Sequence, residues 1–173
     1  SRPYLAMEEM AMVDDLTGLL NRRKTLARLK DEWERCQRYS HPLALIGLDL
    51  DILKKVNDKF GHPTGDRVLQ TVANLIRQVI RQSDVAGRVG GDEFLLVLPE
   101  TDLRGAFDLA ERLRKACEEL ALTSESGERI PVTLSLGVSS WPETKATEPA
   151  ELIRATDQAL YRAKQAGRNR TSL

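Results

Sequence analysis

Cysteine is scarce in this chain, and charge bias is absent. Cys36 and Cys117 are the two cysteines, and their spacing matches no metal or redox motif. A cysteine-built metal or redox centre is therefore excluded, and a reducing, cytoplasmic setting is expected. Lys and Arg total 26, as do Asp and Glu, so the formal net charge is zero. A general DNA- or RNA-binding protein would carry a basic excess, and that class is set aside. A local basic patch that grips phosphates remains compatible with the balance. No apolar run approaches the roughly 18 residues of a membrane-spanning helix, and no secretory leader is visible. Membrane contact is expected only through a region upstream of this sequence. No internal repeat or low-complexity segment occurs. The first residue is Ser1 rather than Met, so we read the chain as a fragment of something longer.

What is present suits one soluble domain of 173 residues, large enough to bury roughly two thirds of its unfolded surface. Residues 1–13, with Tyr4, Leu5, Met7, Met10 and Met12, read as the end of a helical connector. Residues 14–173 form the domain. The stretch from Asp14 to Arg23 is turn-like and then starts a helix, capped by Asn21 or Thr17, that runs to about Tyr39. Leu43–Leu48 is a continuous apolar run, as expected of a central strand covered on both faces. It ends in Asp49-Leu50-Asp51. One helix is expected from about Asp51 to Phe60, stopped by Gly61. Another is expected from about Thr64 to Arg81, with Val68, Leu69, Val72, Leu75, Ile76, Val79 and Ile80 on one face.

Val85–Val89 and Phe94–Leu98 read as strands joined through Gly90-Gly91, a hairpin signal because glycine tolerates positive φ. A helix from about Leu103 to Leu120 follows, with Cys117 on its apolar stripe as core filler. Gly127 marks a turn, and Val132–Val138 is the next strand. The last helix runs from Pro149 to about Gly167. Strand, two helices, hairpin, helix, strand, helix implies an α+β fold. A central, mostly antiparallel sheet flanked by helices is expected, in the ferredoxin-like manner.

The chemistry sits where strands meet solvent. Asp49 and Asp51 follow a buried strand, and Asp92 and Glu93 follow a glycine turn. If the first strand pairs beside the hairpin, the two acid groups converge. Converging carboxylates repel unless a cation neutralises them or a proton is shared. Hard oxygen ligands favour Mg²⁺ completed by phosphate oxygens. The plainer reading is that these acids only solvate strand ends. Adjacent strand residues point to opposite faces, so sequence does not apportion the roles of Asp92 and Glu93. Gly90 and Gly91 remove two side chains beside the acids and let a ligand approach the backbone. Lys164 and Arg168 are four residues apart and share a face if the helix persists. They suit phosphate, or equally a helix C-terminus that favours cations.

Gly90-Gly91-Asp92-Glu93-Phe94 is, letter for letter, the signature of the GGDEF family of diguanylate cyclases, which this chain resembles. Asp15–Arg23 is similar to that family's opening segment. Asp49–Asp58 with Phe60-Gly61-His62 and Gly65-Asp66 is similar to its nucleotide segment. Ala159–Lys164 with Gly167-Arg168-Asn169 is similar to its closing segment. The resemblance spans Asp14 to Arg170.

It implies an enzyme that condenses two GTP into cyclic di-GMP and releases two pyrophosphates. Asp49, the carbonyl of Leu50, Asp92 and Glu93 would hold two Mg²⁺, with Mn²⁺ as a substitute. Asp92 would also be the base for the ribose 3′-hydroxyl, and Glu93 the other essential acid. Asn57 and Asp66 would read guanine, with His62 nearby. Backbone amides at Ile52 and Leu53, with Lys54, Lys164 and Arg168, would cradle the phosphates. An acid at Asp66 can accept from guanine N1–H and its amine, a donor pair adenine lacks. Each domain would bind one GTP, so a homodimer of half-sites is implied. Arg81-Gln82-Ser83-Asp84 resembles the family's RxxD inhibitory site for cyclic di-GMP, with Arg112 in support; its plainer reading is a charged turn ending a helix. Leu53 replaces the Phe often found before the phosphate-loop lysine, and a packing change is expected. The alternatives are a catalytically silent nucleotide-binding module, a dimerisation domain, and another nucleotidyl enzyme on a similar sheet.

Overall fold

Leu43–Leu48 forms a central strand because no residue in the run offers water a polar side chain. In the computed structural model, which describes residues 11–173, β1 spans Leu43–Leu50 and every one of its residues is buried. Helix α1 (Arg22–Tyr39) precedes it. Asn21 caps α1 by accepting the Lys24 amide at 2.9 Å. Thr17 instead belongs to the preceding turn, where its amide and hydroxyl both donate to Asp14. After β1 come α2 (Leu53–Phe60), α3 (His62–Val79), β2 (Val85–Arg88), β3 (Glu93–Pro99), α4 (Leu103–Glu118), β4 (Leu134–Trp141), α5 (Pro149–Gln165) and β5 (Arg170–Ser172).

The sheet order is β2-β3-β1-β4-β5, antiparallel except for the β4–β5 pair. The expected α+β fold with a central, mostly antiparallel sheet is what forms. Strand alternation then divides the core. Ala44, Ile46, Leu48 and Leu50 pack with Val68, Val72 and Ile76 of α3 and Ala106, Ala110 and Leu113 of α4. Leu43 and Leu45 pack on the other face with Leu29 and Trp33 of α1 and Leu152 of α5. Each buried Val, Leu or Ile among them contributes roughly 1.5–3 kcal/mol. Cys117 is fully buried in the first layer, as expected of core filler, and burial pushes its thiol up to about 12.

Some boundaries differ from the sequence reading. Helix α2 begins at Leu53 and α3 at His62, with Pro63 in its first turn. Proline is favoured there because the missing N–H has no helical partner anyway. Helix α3 ends at Val79, before Arg81, because Asp84 draws the Arg81 amide into a separate turn at 2.8 Å. Neither Gly90 nor Gly91 has a positive φ; Gly18, Gly61, Gly127 and Gly167 do. Handedness is therefore not what either glycine supplies; at Gly90 a side chain would crowd Glu93. Strand β4 starts two residues later than expected and extends to Trp141. Strand β5 was not foreseen. Val13 bridges Leu20, residues 11–13 are not helical, and the rest of the connector lies outside the described residues.

Helix α5 lies unusually close to the sheet. A Cβ on Gly137 would stand 2.2 Å from the Leu160 amide nitrogen and 2.5 Å from the Thr156 carbonyl oxygen. That contact seats α5 and everything carried at its C-terminal end. Gly137→Ala should therefore cost about 3 kcal/mol or more of stability, since backbone cannot yield as a side chain can. Gly91→Ala, whose Cβ would meet nothing within 4 Å, should change stability by less than about 0.5 kcal/mol. Urea unfolding of the two variants checks the contrast.

Candidate active site

Alternation along β1 sends Asp49 to the same face as Leu43 and Leu45, the face that α5 covers. Antiparallel register places Glu93 of β3 directly opposite Asp49. Directly paired side chains share one face, with Cβ atoms about 5 Å apart, and like charges there repel. The Leu50 amide donates to the Asp92 carbonyl at 3.3 Å, closing the strand end against the signature turn. The convergence of the two acid segments is thus set by strand pairing.

Asp49 is 3% exposed. Its Oδ2 accepts from the Lys164 ammonium, while its Oδ1 is buried with no hydrogen-bond partner. Burial pushes its carboxyl up to about 6, opposed by Lys164 and reinforced by the charges of Asp92 and Glu93. A buried carboxylate oxygen without a partner is costly. An unsatisfied carboxylate oxygen is the kind of donor a hard cation takes. Among the described residues no three His, Cys, Asp or Glu side chains are gathered into a preformed cage. Mg²⁺ needs none, since it takes one or two carboxylates and completes its shell with phosphate oxygens and water. The donor set fits that ion.

The signature turn is held from behind. The Val89 amide donates to the Glu93 carbonyl at 2.9 Å. Arg88 donates through Nε and Nη2 to the Gly91 carbonyl at 3.1 and 2.8 Å, and Asp14 accepts from its Nη1 at 3.3 Å. Arg22 reaches the Val89 carbonyl at 3.3 Å. Asp92 is half-buried and Glu93 exposed. A Cβ on Gly90 would sit 3.1 Å from Glu93 Oε2, so that glycine leaves the acid its room.

Two residues past β1, Ile52 starts α2 without any side-chain cap. The first amides of α2 therefore have no side-chain acceptor and carry the positive end of the helix dipole. Ile52 and Leu53 are half-buried, and Lys54 stands exposed in that first turn. Leu53 packs against the larger core layer. At the α2–α3 corner, Asn57 Oδ1 is buried without a partner. It lies where a Cβ on Gly65 would be, 1.7 Å away. Gly65 is therefore required for Asn57 to hold its place. His62 and Asp66 flank this corner and are exposed.

Lys164 and Arg168 do not share a continuous helix. Helix α5 ends at Gln165, and Gly167, Arg168 and Asn169 all have positive φ. The turn nonetheless brings both cations to the end of β1. Lys164 meets Asp49, and Arg168 Nη1 lies 3.8 Å from Asp51 Oδ1. Asp51 itself is withdrawn from the acid group. Sequence reasoning missed that role, and the anchoring by Arg88, Arg22 and Asp14, because no local pattern marks a long-range bond.

Arg81 and Asp84 also meet. Arg81 donates through Nη2 to Asp84 Oδ1 at 2.9 Å, to the Pro99 carbonyl at 2.8 Å and to Thr101 Oγ1 at 2.7 Å. Asp84 is buried, and its carboxylate holds the guanidinium more firmly protonated. Both residues, with Arg112 of α4, line one cavity of about 420 Å³ at the opposite end of β3 from Glu93. The three residues singled out from sequence share one site.

The fold is an α+β domain with acids on paired strand ends. The family profile "Diguanylate cyclase, GGDEF domain" matches residues 11–170. The chain belongs to the GGDEF family. It is 41% identical over 162 residues to diguanylate cyclase DgcP of Pseudomonas aeruginosa, covering 94% of this chain and 24% of that protein. It is also 41% identical to a diguanylate cyclase of Vibrio cholerae, covering 94% of this chain and 49% of the relative. The chain thus spans less than half of these curated relatives. Among solved structures, the active GGEEF domain of a Vibrio cholerae diguanylate cyclase is 42% identical, with a TM-score of 0.83, covering 89% of this chain and 96% of that one. The GGDEF domain of Caulobacter crescentus DgcB, solved in complex with c-di-GMP, is 30% identical with a TM-score of 0.89, covering 94% and 95%.

Asp49 offers a direct check on the electrostatics. Its folded-state value of about 6 lies above the ordinary carboxylate value of 3.8. A raised carboxyl binds its proton more readily folded than unfolded, so ionisation opposes folding. That cost is absent below about pH 4 and fully present above about pH 6. Without divalent cations, Asp49→Asn should be more stable than the parent at pH 8, by on the order of 2 kcal/mol. The gap should close as pH falls from 6 to 4. Thermal unfolding across that range measures it.

Proposed function

We propose that this chain is the catalytic domain of a diguanylate cyclase that condenses two GTP into cyclic di-GMP and two pyrophosphates. The observation that carries the reading is Asp49 paired across the sheet with Glu93 of an intact signature, with one buried oxygen unsatisfied. Family membership and the c-di-GMP named with DgcB support it.

In this reading Asp49, the Leu50 carbonyl, Asp92 and Glu93 hold two Mg²⁺, with Mn²⁺ as a substitute. The ions supply charge neutralisation for the triphosphate and for the developing oxyanion. The uncapped amides of Ile52 and Leu53, with Lys54, Lys164 and Arg168, bind the phosphates. Lys164, which meets Asp49, would bind the phosphates from that strand end. Asn57 and Asp66 accept from guanine, with His62 at the mouth of the pocket. The unpartnered Asn57 Oδ1 suits a base-edge donor. Adenine offers no matching donor pair and is rejected because the buried Asn57 acceptor would stay unpaired.

Each copy binds one GTP. Two copies meet face to face, and each 3′-hydroxyl attacks the other's α-phosphate. Asp92 accepts the hydroxyl proton. A new P–O bond forms at each α-phosphate, and the bond to pyrophosphate breaks in line. The protein's contribution is positioning and electrostatics. The cavity of Arg81, Asp84 and Arg112 takes the product. Arginine forks suit both its phosphates and the Hoogsteen edge of guanine, and occupancy there restrains the domain.

Turnover tests the reading. With GTP and Mg²⁺ the chain should release pyrophosphate at a specific rate that rises with protein concentration. Mass analysis should show one cyclic product. Asp92→Ala and Glu93→Ala should each lower turnover by at least about 10³-fold with the fold intact by circular dichroism. Normal rates in either variant contradict the assignment. Arg81→Ala should keep the initial rate and lose slowing by added cyclic di-GMP. Unchanged slowing removes the inhibitory site.

A further inference from the structure

Asp51 looks like a member of the metal-binding acid group, yet the fold uses it otherwise. Its side chain is 2% exposed. Oδ2 accepts from Thr133 Oγ1 at 2.7 Å and from the Asn169 backbone amide at 3.0 Å. Oδ1 accepts from Ser135 Oγ at 2.5 Å and faces Arg168 Nη1 at 3.8 Å. These partners occupy both oxygens, whereas Asp49 keeps one oxygen free. One carboxylate therefore ties together the end of β1, the start of β4 and the turn after α5.

That turn needs holding. Arg168 and Asn169 have φ of 64° and 43°, a left-handed conformation that side chains disfavour unless their surroundings fix it. Asn169 is gripped a second time from α4. Its Oδ1 accepts from Arg114 Nη1 at 3.2 Å, and its Nδ2 donates to Glu118. Arg114 in turn clasps Glu111 at 2.7 and 3.1 Å, and Thr171 donates to Glu111 at 2.9 Å. The chain so fixed carries Arg168, a proposed phosphate-binding cation.

We propose that Asp51 is a positioning residue: it fixes the Gly167–Arg170 turn and thereby aims Arg168 at the triphosphate, and it is not a metal ligand. The aiming half rests on the nucleotide reading above; the fixing half does not. Asn at this position keeps the volume but turns one acceptor into a donor facing the Asn169 amide or a hydroxyl. The turn is then released, and Arg168 loses its direction.

Two readouts test this on the whole chain. Amide hydrogen exchange in Gly167–Thr171 should rise at least about tenfold in Asp51→Asn, while the buried turns of α5 keep their protection. Binding of an unreactive GTP analogue with Mg²⁺ should weaken about tenfold in Asp51→Asn, the scale of one lost charge-assisted bond. The Mg²⁺ concentration for half-maximal binding should stay put. If Asp51 acts through Arg168, the losses do not multiply, and Asp51→Asn with Arg168→Ala binds no worse than Arg168→Ala alone. Multiplying losses, unchanged exchange, or a shifted Mg²⁺ requirement overturns the proposal. Should Asp51→Asn fail to fold, the double variant Thr133→Val, Ser135→Ala strips the Asp51 carboxylate of its two hydroxyl donors and loosens its hold on the same turn. It must show the same faster exchange and the same non-multiplying pattern, and otherwise the proposal falls. A parent chain that binds no GTP analogue sinks the nucleotide reading instead, and the exchange comparison alone then decides the fixing role of Asp51.

Discussion

The register of two strands is the constraint from which the rest follows. β1 and β3 pair so that Asp49 faces Glu93, and two carboxylates meet at a strand end where one is almost wholly buried. A fold selected for stability alone would not keep this arrangement, because like charges and burial both oppose it. Lys164 relieves part of the cost, yet one oxygen of Asp49 remains unsatisfied. The surroundings are built to deliver that relief. Gly137 lets α5 settle onto β4, and the seating of α5 brings Lys164 to Asp49. Arg88 and Arg22 hold the carbonyls of the signature turn in place.

Strain here is local and purposeful in its placement. The left-handed turn after α5, the unsatisfied Asn57 oxygen and the uncapped start of α2 all lie on the side of the sheet ends where β1 terminates. The core layers beneath are conventional, with alternating aliphatics from β1 dividing between helices on the two faces. Such a division lets rigid packing support a polar site that is itself unfavourable. The cavity of Arg81, Asp84 and Arg112 differs in kind. Its carboxylate is fully engaged with its arginine, so that site presents a preset guanidinium rather than an unpaired charge.

Much of this was legible in the sequence because it was written in periodicity and short spacing. The unbroken apolar run of Leu43–Leu48 announced a central strand, and the helical stripes of α3 and α4 announced their buried faces. The acids beside the glycine pair marked the site, and the antiparallel order followed from the hairpin. Other features were hidden. β5 is three polar residues with no pattern to betray it. Neither Gly90 nor Gly91 takes the positive φ that glycine tolerates; Gly90 instead makes room for Glu93. Asp49 and Asp51 look alike in sequence. Only the fold shows Thr133, Ser135 and Asn169 closing around one of them and leaving the other open.

The central claim is that the open oxygen of Asp49 awaits a divalent cation brought with a triphosphate. Calorimetric titration of an unreactive GTP analogue, with and without Mg²⁺, tests it most directly when parent and Asp49→Asn are compared. The account predicts that Mg²⁺ strongly tightens binding to the parent and that this gain disappears in the variant. Equal affinity with and without Mg²⁺, or a gain that the variant retains in full, would contradict it.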